Sequence, residues 1–369
     1  MVPAGDALSV DRKIFSETIS KILSGHKFIK VVEEEVIDPI EYAKLYNCDH
    51  IILASGPLTS KGLEKWILSN ISSDDFYFYD AIAPVVEADS LDFSKLYFKD
   101  RYKEYSIESD VDADYLNAPL NREEYYAFVR ELKQAQKTPA RDFEEYRFFE
   151  GCLPIDLLAE RGEDTLMFSC MKPVGLELAD GDRPYAVVQL RKENLIGGAY
   201  NLVGFQTRLT YGEQRRVFRM IPGLENANFL HLGSVHRNSF LNAKKLLNID
   251  LSSKKYPNIY FAGQLTGVEG YTESAAMGQY AALQLFRKIN GEQMVVFPKE
   301  TAIGALINYI MTCEPPVPSN INFGLLPNLH LSLKKIGRKK FKKEKRELTV
   351  KRAKEVMDKF ICEIDGVIL

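Results

Sequence analysis

Cysteine is scarce in this 369-residue chain. Its five cysteines, Cys48, Cys152, Cys170, Cys313 and Cys362, are odd in number and far apart, with no Cys-x-x-Cys pair. That pattern argues against a disulfide framework and against a thiolate metal site, and it suits a reducing compartment. A long apolar run is also missing. Residues 315–333, the longest stretch without Asp, Glu, Lys or Arg, contain four prolines and several Asn and Ser, so no membrane helix is expected. The opening Met1-Val-Pro-Ala-Gly-Asp-Ala lacks the basic and apolar regions of a signal peptide. These absences together predict a soluble, cytoplasmic protein with no membrane partner. No Gly-x-Gly-x-x-Gly loop occurs anywhere. Net charge is only −3, which by itself attracts no polyanion. Its distribution says more: residues 334–346 hold nine Lys or Arg and one Glu, a basic tail on an acidic body. With 46% hydrophobic and 27% charged residues, the composition is that of an ordinary globular protein of two or three domains.

The chain reads as α/β at both ends. Asp11 is placed to cap a helix carrying Ile14, Phe15, Thr18, Ile19, Ile22 and Leu23 on one face. A strand is expected from Phe28 to Val36, and a buried parallel strand from His50 that ends in Ala54-Ser-Gly56. The middle is mixed. Asn121 caps a helix over 122–136, strands run through Arg183–Leu190 and Ala199–Phe205 beside a Gly197-Gly198 turn, and a basic helix covers 211–220. The α/β pattern returns at Asn258-Ile-Tyr-Phe-Ala-Gly-Gln264, followed by a helix of small residues. A Pro/Asn-rich stretch, the basic run and an amphipathic helix near 347–361 close the chain.

The richest segment is Phe261-Ala-Gly-Gln-Leu-Thr-Gly-Val-Glu-Gly-Tyr-Thr-Glu-Ser-Ala-Ala276. A buried strand ending in small residues lets a ligand approach the backbone. Gly267 and Gly270 permit unusual φ and put no Cβ in the way. A helix starting near Tyr271 offers its N-terminus to a phosphate or to an electron-rich ring edge. The plainer reading is tight strand–helix packing.

This segment resembles the C-terminal flavin motif of the MnmG/TrmFO flavoproteins. Leu53-Ala-Ser-Gly-Pro-Leu-Thr-Ser60, Phe76-Tyr-Phe-Tyr-Asp-Ala-Ile-Ala-Pro-Val85, Phe148-Phe-Glu-Gly-Cys-Leu-Pro-Ile-Asp156, Met171-Lys-Pro-Val-Gly-Leu176, Tyr200-Asn-Leu-Val-Gly-Phe-Gln-Thr207, Val217-Phe-Arg-Met-Ile-Pro-Gly-Leu-Glu-Asn-Ala227 and His236-Arg-Asn238 resemble the TrmFO branch in particular. The resemblance runs in order to about Leu326. It implies a glutathione-reductase-type FAD-binding Rossmann-like domain with an inserted α/β domain. It also implies methylation of uracil C5 in tRNA, giving the ribothymidine of the T-loop. The carbon comes from 5,10-methylenetetrahydrofolate, reduced FAD is the reductant, and NAD(P)H reduces the flavin. The family's first βαβ unit, with its pyrophosphate loop and a Cys-Ser-Asn-Ser segment, has no counterpart in this sequence. The expected domains are therefore 1–62 with 221–333 as an incomplete FAD-binding domain, 63–220 as the insert, and 334–369 as a basic tail.

Cys152 matches a functional cysteine of the family; the resemblance implies a thiolate adding to uracil C6 and leaves open whether Cys152 or the absent cysteine of the Cys-Ser-Asn-Ser segment supplies it. Against that stands a small buried core residue. Cys170 stands where the family has proline and is given no catalytic role. Cofactor binding is expected at Ala54, Gly56, Gly263, Gln264, Gly267, Glu269, Gly270 and Tyr271, with Tyr271 able to stack on a ring and Glu269 to hydrogen-bond a pterin. His236, Arg237 and Asn238 supply donors and a cation for folate or a flavin oxygen. The basic tail is a candidate contact for tRNA phosphates, against the plainer reading of a solvated face, and Arg208, Arg215, Arg216 and Arg219 form a second basic cluster. No metal ligands are expected. Two alternatives stay open: a catalytically inactive RNA- or folate-binding remnant, and an rRNA uridine methyltransferase of the same family. The sequence leaves the oligomeric state unassigned.

Overall fold

A computed structural model describes residues 10–71, 77–102, 113–138, 153–193, 197–329 and 338–364. Its helices, in chain order, are α1 (Arg12–Ser24), α2 (Pro39–Leu45), α3 (Lys61–Asn70), α4 (Arg122–Gln134), α5 (Ile155–Arg161), α6 (Tyr211–Phe218), α7 (Ala243–Leu246), α8 (Tyr271–Ile289), α9 (Ala302–Thr312) and α10 (Arg338–Glu363). The strands are β1 (Ile51–Leu53), β2 (Tyr77–Ile82), β3 (Val85–Glu87), β4 (Tyr97–Phe98), β5 (Tyr115–Leu120), β6 (Ala186–Lys192), β7 (Ala199–Leu202), β8 (Phe229–His231), β9 (Ser234–Ser239) and β10 (Ile259–Phe261). The chain forms two compact units, one of Met1–Glu33 and Tyr79–His236, the other of Glu34–Phe78 and Arg237–Leu369. The expected boundaries at 62/63 and 220/221 move accordingly, and the tail joins the second unit instead of standing apart.

The first unit is built on a six-stranded sheet in the order β4-β5-β6-β7-β3-β8. Every described pairing in it is antiparallel, as in Leu116 opposite Leu190 and Ala118 opposite Val188. The first unit thus combines an antiparallel sheet with helices. Helix α4 starts where the sequence places it. Asn121 Oδ1 accepts the Glu124 N–H at 2.9 Å and Glu124 Oε2 accepts the Asn121 N–H at 2.8 Å, a reciprocal cap. Its buried face is Tyr125, Phe128, Val129 and Leu132, the spacing of one helical stripe. These pack in one core with Leu116, Val188, Phe205 and Phe218.

α1 also forms where expected, with Asp11 Oδ1 accepting the N–H groups of Lys13 and Ile14. Its apolar residues Ile14, Phe15, Ile19, Ile22 and Leu23 are exposed. The strand expected from Phe28 to Val36 does not form. Phe28 is 80% exposed, and among the described residues no strand pairs with this stretch. An unpaired strand has no ladder to hold it.

In the second unit β1 and β10 pair in parallel, Ile51 opposite Ile259 and Leu53 opposite Phe261. β10 is fully buried, whereas β1 buries only Leu53. Around them pack Leu63, Trp66 and Ile67 of α3, Met277, Tyr280 and Ala281 of α8, and Leu306, Ile307 and Ile310 of α9. α10 begins at Arg338, nine residues before the expected amphipathic helix near 347. Phe360 anchors it, buried against Phe297 with ring centroids 4.8 Å apart.

Candidate functional site

The second unit gathers its chemistry at the carboxyl ends of β1 and β10. The register sets Leu53 beside Phe261, and the Ala262 N–H donates to the Leu53 carbonyl at 3.0 Å, so both loops leave the sheet side by side. Ligands of parallel sheets bind at such ends. In the first loop Gly56 has φ +76°, and a Cβ there meets nothing within 4 Å. Thr59 Oγ1 donates to the Gly56 carbonyl at 2.9 Å and lies 2.8 Å from Ser55 Oγ.

The second loop starts at Gly263 (φ +66°), makes one 3₁₀ turn to Thr266, and reverses at Gly267 (φ +90°). Thr266 Oγ1 ties the turn down by donating to the Gly263 carbonyl at 2.8 Å. Val268 bridges Ser319: the Glu269 N–H donates to the Ser319 carbonyl at 2.9 Å, and the Ser319 N–H to the Gly267 carbonyl at 3.2 Å. Gly270 (φ +101°) is the N-cap of α8 and supplies no side-chain cap. Left-handed backbone at three positions explains the glycines; a β-carbon there is strained. Tyr271, first residue of the helix, is 68% exposed.

Two carboxylates flank that helix end. Gln264 Nε2 lies 2.8 Å from each carboxylate oxygen of Glu269. Glu273 Oε1 accepts the Ile321 N–H at 3.1 Å. Together they already complement the positive end of α8. A phosphate at this helix end would meet like charge. Ala54, Gly56, Gly263, Gln264, Gly267, Glu269 and Gly270 thus lie on these two loops, and Tyr271 opens α8.

The other expected residues are placed differently. Cys152 lies outside the described residues. His236, Arg237 and Asn238 lie on β9, where the side chain of Asn238 is buried and those of His236 and Arg237 lie outside the described residues. Burial pushes the Cys170 thiol up to about 12. Thr207 is fully buried and donates to Asp156 Oδ1 at 3.0 Å, and Arg219 donates to the Ala227 carbonyl at 2.9 Å, so both are engaged in the fold. Of the arginine cluster, Arg208 pairs with Asp156 and Glu160, and Arg216 with Glu131 and Glu213. Sequence reading missed Glu273 and Ser319. Glu273 carried a signal, an acid in the first turn after a Gly cap. Ser319 carried none, because its pairing with Val268 spans fifty residues of chain. Among the described residues no His, Cys, Asp and Glu cluster is arranged to hold a metal ion.

Residues 2–293 match the family model described as glucose inhibited division protein A. The chain is 46% identical over 367 residues to the methylenetetrahydrofolate–tRNA-(uracil-5-)-methyltransferase TrmFO of Enterococcus faecalis, covering 99% of this chain and 80% of that protein. It is 49% identical over 364 residues to the TrmFO of Aquifex aeolicus, covering 98% and 78%. Against the TrmFO of Geobacter sulfurreducens it is 50% identical over 342 residues, covering 92% and 76%. Among solved structures, Aquifex aeolicus GidA in two crystal forms superposes with TM-scores of 0.56 and 0.57 at 16% and 17% identity. That likeness, over 82% of this chain and about half of GidA, concerns the fold alone. The chain belongs to the TrmFO family of glucose inhibited division protein A-type proteins.

Proposed function

We infer that this chain methylates uracil at C5 in tRNA, taking the carbon from methylenetetrahydrofolate. The observation that carries the inference is identity of 46–50% to proteins of that name across nearly the whole chain. The loops at the ends of β1 and β10 hold FAD in this reading. Their fit rests on the open space at Gly56, where nothing lies within 4 Å of a Cβ. The backbone around Ala54, Gly56, Gly263 and Gly267 takes the flavin ring edge, and the carboxylates at α8 keep phosphate away from it. Reduced FAD supplies, when bound, the hydride that completes the methyl group, and NAD(P)H restores it. Exposed Tyr271 gives the pterin of the folate a face to stack on, and Glu269 accepts its N–H groups. His236, Arg237 and Asn238 serve the folate or a flavin oxygen. Cys152 is the nucleophile that activates uracil at C6, and the T-loop uridine is the target. Contact with tRNA phosphates falls to the basic residues 334–346. The FAD-binding role belongs to the second unit, and the first unit is the insert.

Incubating the purified chain with FAD, NADPH, unmodified tRNA and [¹⁴C]methylenetetrahydrofolate tests this. Label enters tRNA, a Cys152→Ser chain transfers none, and S-adenosylmethionine does not replace the folate. Transfer to an rRNA fragment in preference to tRNA redirects the reading to ribosomal RNA.

A further inference from the structure

We propose that Asn238 reads the ring edge of a bound heterocycle, pairing its side-chain amide with a cis-lactam, an N–H beside a C=O. This deepens the FAD and folate reading of the site and rests on it. Asn238 is buried, with 4% of its surface exposed. Among the described residues its side-chain amide has no hydrogen-bond partner. Buried amides nearly always find partners, because removing one from water without replacing its bonds is costly. An amide held in this state is suited to bonds that form only with a ligand. Its place in the fold says which ligand. The chain leaving β9 is tied to both loops: the Ser239 N–H donates to the Pro57 carbonyl at 3.0 Å, beside open Gly56, and the Leu241 N–H to the Leu265 carbonyl at 2.7 Å. Between them Phe240 lies 3.7 Å from where a Gly267 Cβ would stand. Side chains two apart on an extended chain share a face, so Asn238 lies on the side that Phe240 turns to Gly267.

The amide itself sets the chemistry. Oδ1 accepts and Nδ2 donates, side by side in one plane. A lactam presents the reverse pair, so two hydrogen bonds form together. The pyrimidine edge of a flavin and the N3–H and C4=O edge of a pterin both carry that pair. A phosphate or carboxylate only accepts, and it would set its charge against Oδ1. Asn238 therefore takes a neutral ring edge and not the anionic part of either molecule.

The test uses the full chain, with FAD and tetrahydrofolate, each alone, as probes. Binding is measured by calorimetry, and ligand-free stability by thermal denaturation, in the parent, Asn238→Leu and Asn238→Ala. Asn238→Leu keeps a branched side chain and removes both polar atoms. It is expected to weaken a probe about tenfold for each hydrogen bond lost. Its ligand-free Tm stays at or above that of the parent, because the amide it removes had no partner to lose. Asn238→Ala shows the same loss of affinity and serves if the leucine variant does not fold. Weaker FAD with unchanged tetrahydrofolate assigns the lactam to the flavin, and the reverse assigns it to the pterin; either result supports the proposal. Unchanged affinity for both probes in a folded variant overturns it in favour of an amide served by solvent, and the FAD and folate reading stands. If both variants lose the fold, or lose both probes together with ligand-free stability, Asn238 is a structural brace and the proposal is overturned. If the parent binds neither probe, the reading of the site fails and takes the inference with it.

Discussion

Asp156 is fully buried and yet accepts three hydrogen bonds, from Thr207 Oγ1, the Arg208 N–H and Arg208 Nε, the last at 2.6 Å. Burial works against the Arg208 guanidinium, while Asp156 and Glu160 outweigh it and hold its pKa above the ordinary value. Breaking one side of such a pair leaves a buried charge without its partner. Arg208→Met is expected to cost about 3–5 kcal/mol in urea unfolding, and the double variant Arg208→Met with Asp156→Leu is expected to recover part of it. Cys170 is half-buried and packs against the core of the first unit. In the native chain iodoacetamide should label exposed Cys48 and Cys362 faster than half-buried Cys170, as peptide mass spectrometry will show. The sign of its pH effect follows. The native thiol holds its proton to about 12, whereas an unfolded thiol releases it near ~8.5. Its contribution is complete below that lower value and is lost as pH climbs through the window, at no more than about 1.4 kcal/mol per pH unit. Cys170→Ala should flatten that part of the stability curve.

At the scale of elements, α9 gives a case where propensity and packing disagree. Alanine is favoured over glycine inside a helix by about 1 kcal/mol. At Gly304, however, a Cβ lies 2.1 Å from the Pro298 carbonyl oxygen and 2.6 Å from that of Phe297. Backbone oxygens do not swing aside as a side chain does, so Gly304→Ala should destabilise the chain by about 1–3 kcal/mol, read by thermal denaturation. Helices with their own start signals were legible: Asn121 with Glu124, and Asp11 with the N–H groups it accepts. The strand expected at 28–36 was not, because its apolar content was local while pairing is not. The same holds for the insert. Ala186-Val-Val and Ala199-Tyr read as strands, but their antiparallel register lies between segments and not within them.

For the whole molecule, the resemblance carried further than periodicity. It placed two strand-end loops, from residues 54 and 263, on one ligand, and the fold does bring them out of adjacent parallel strands. It did not place the boundaries, since the division at 78/79 and 236/237 depends on packing that no single segment displays. The near-zero net charge was the least informative number, and its uneven distribution the most useful. If the basic tail holds tRNA, replacing Lys343, Lys345 and Arg346 by Gln should weaken binding and reduce the salt slope by about 0.9 for each phosphate no longer neutralised, leaving tetrahydrofolate binding unchanged. The central claim is the carbon transfer itself. The most direct measurement supplies ¹³C-methylenetetrahydrofolate, NADPH and FAD to the purified chain with unmodified tRNA, then digests the RNA to nucleosides for mass spectrometry. The account predicts 5-methyluridine carrying the ¹³C methyl group. Unchanged uridine, from a chain that has bound flavin and tetrahydrofolate, would contradict it.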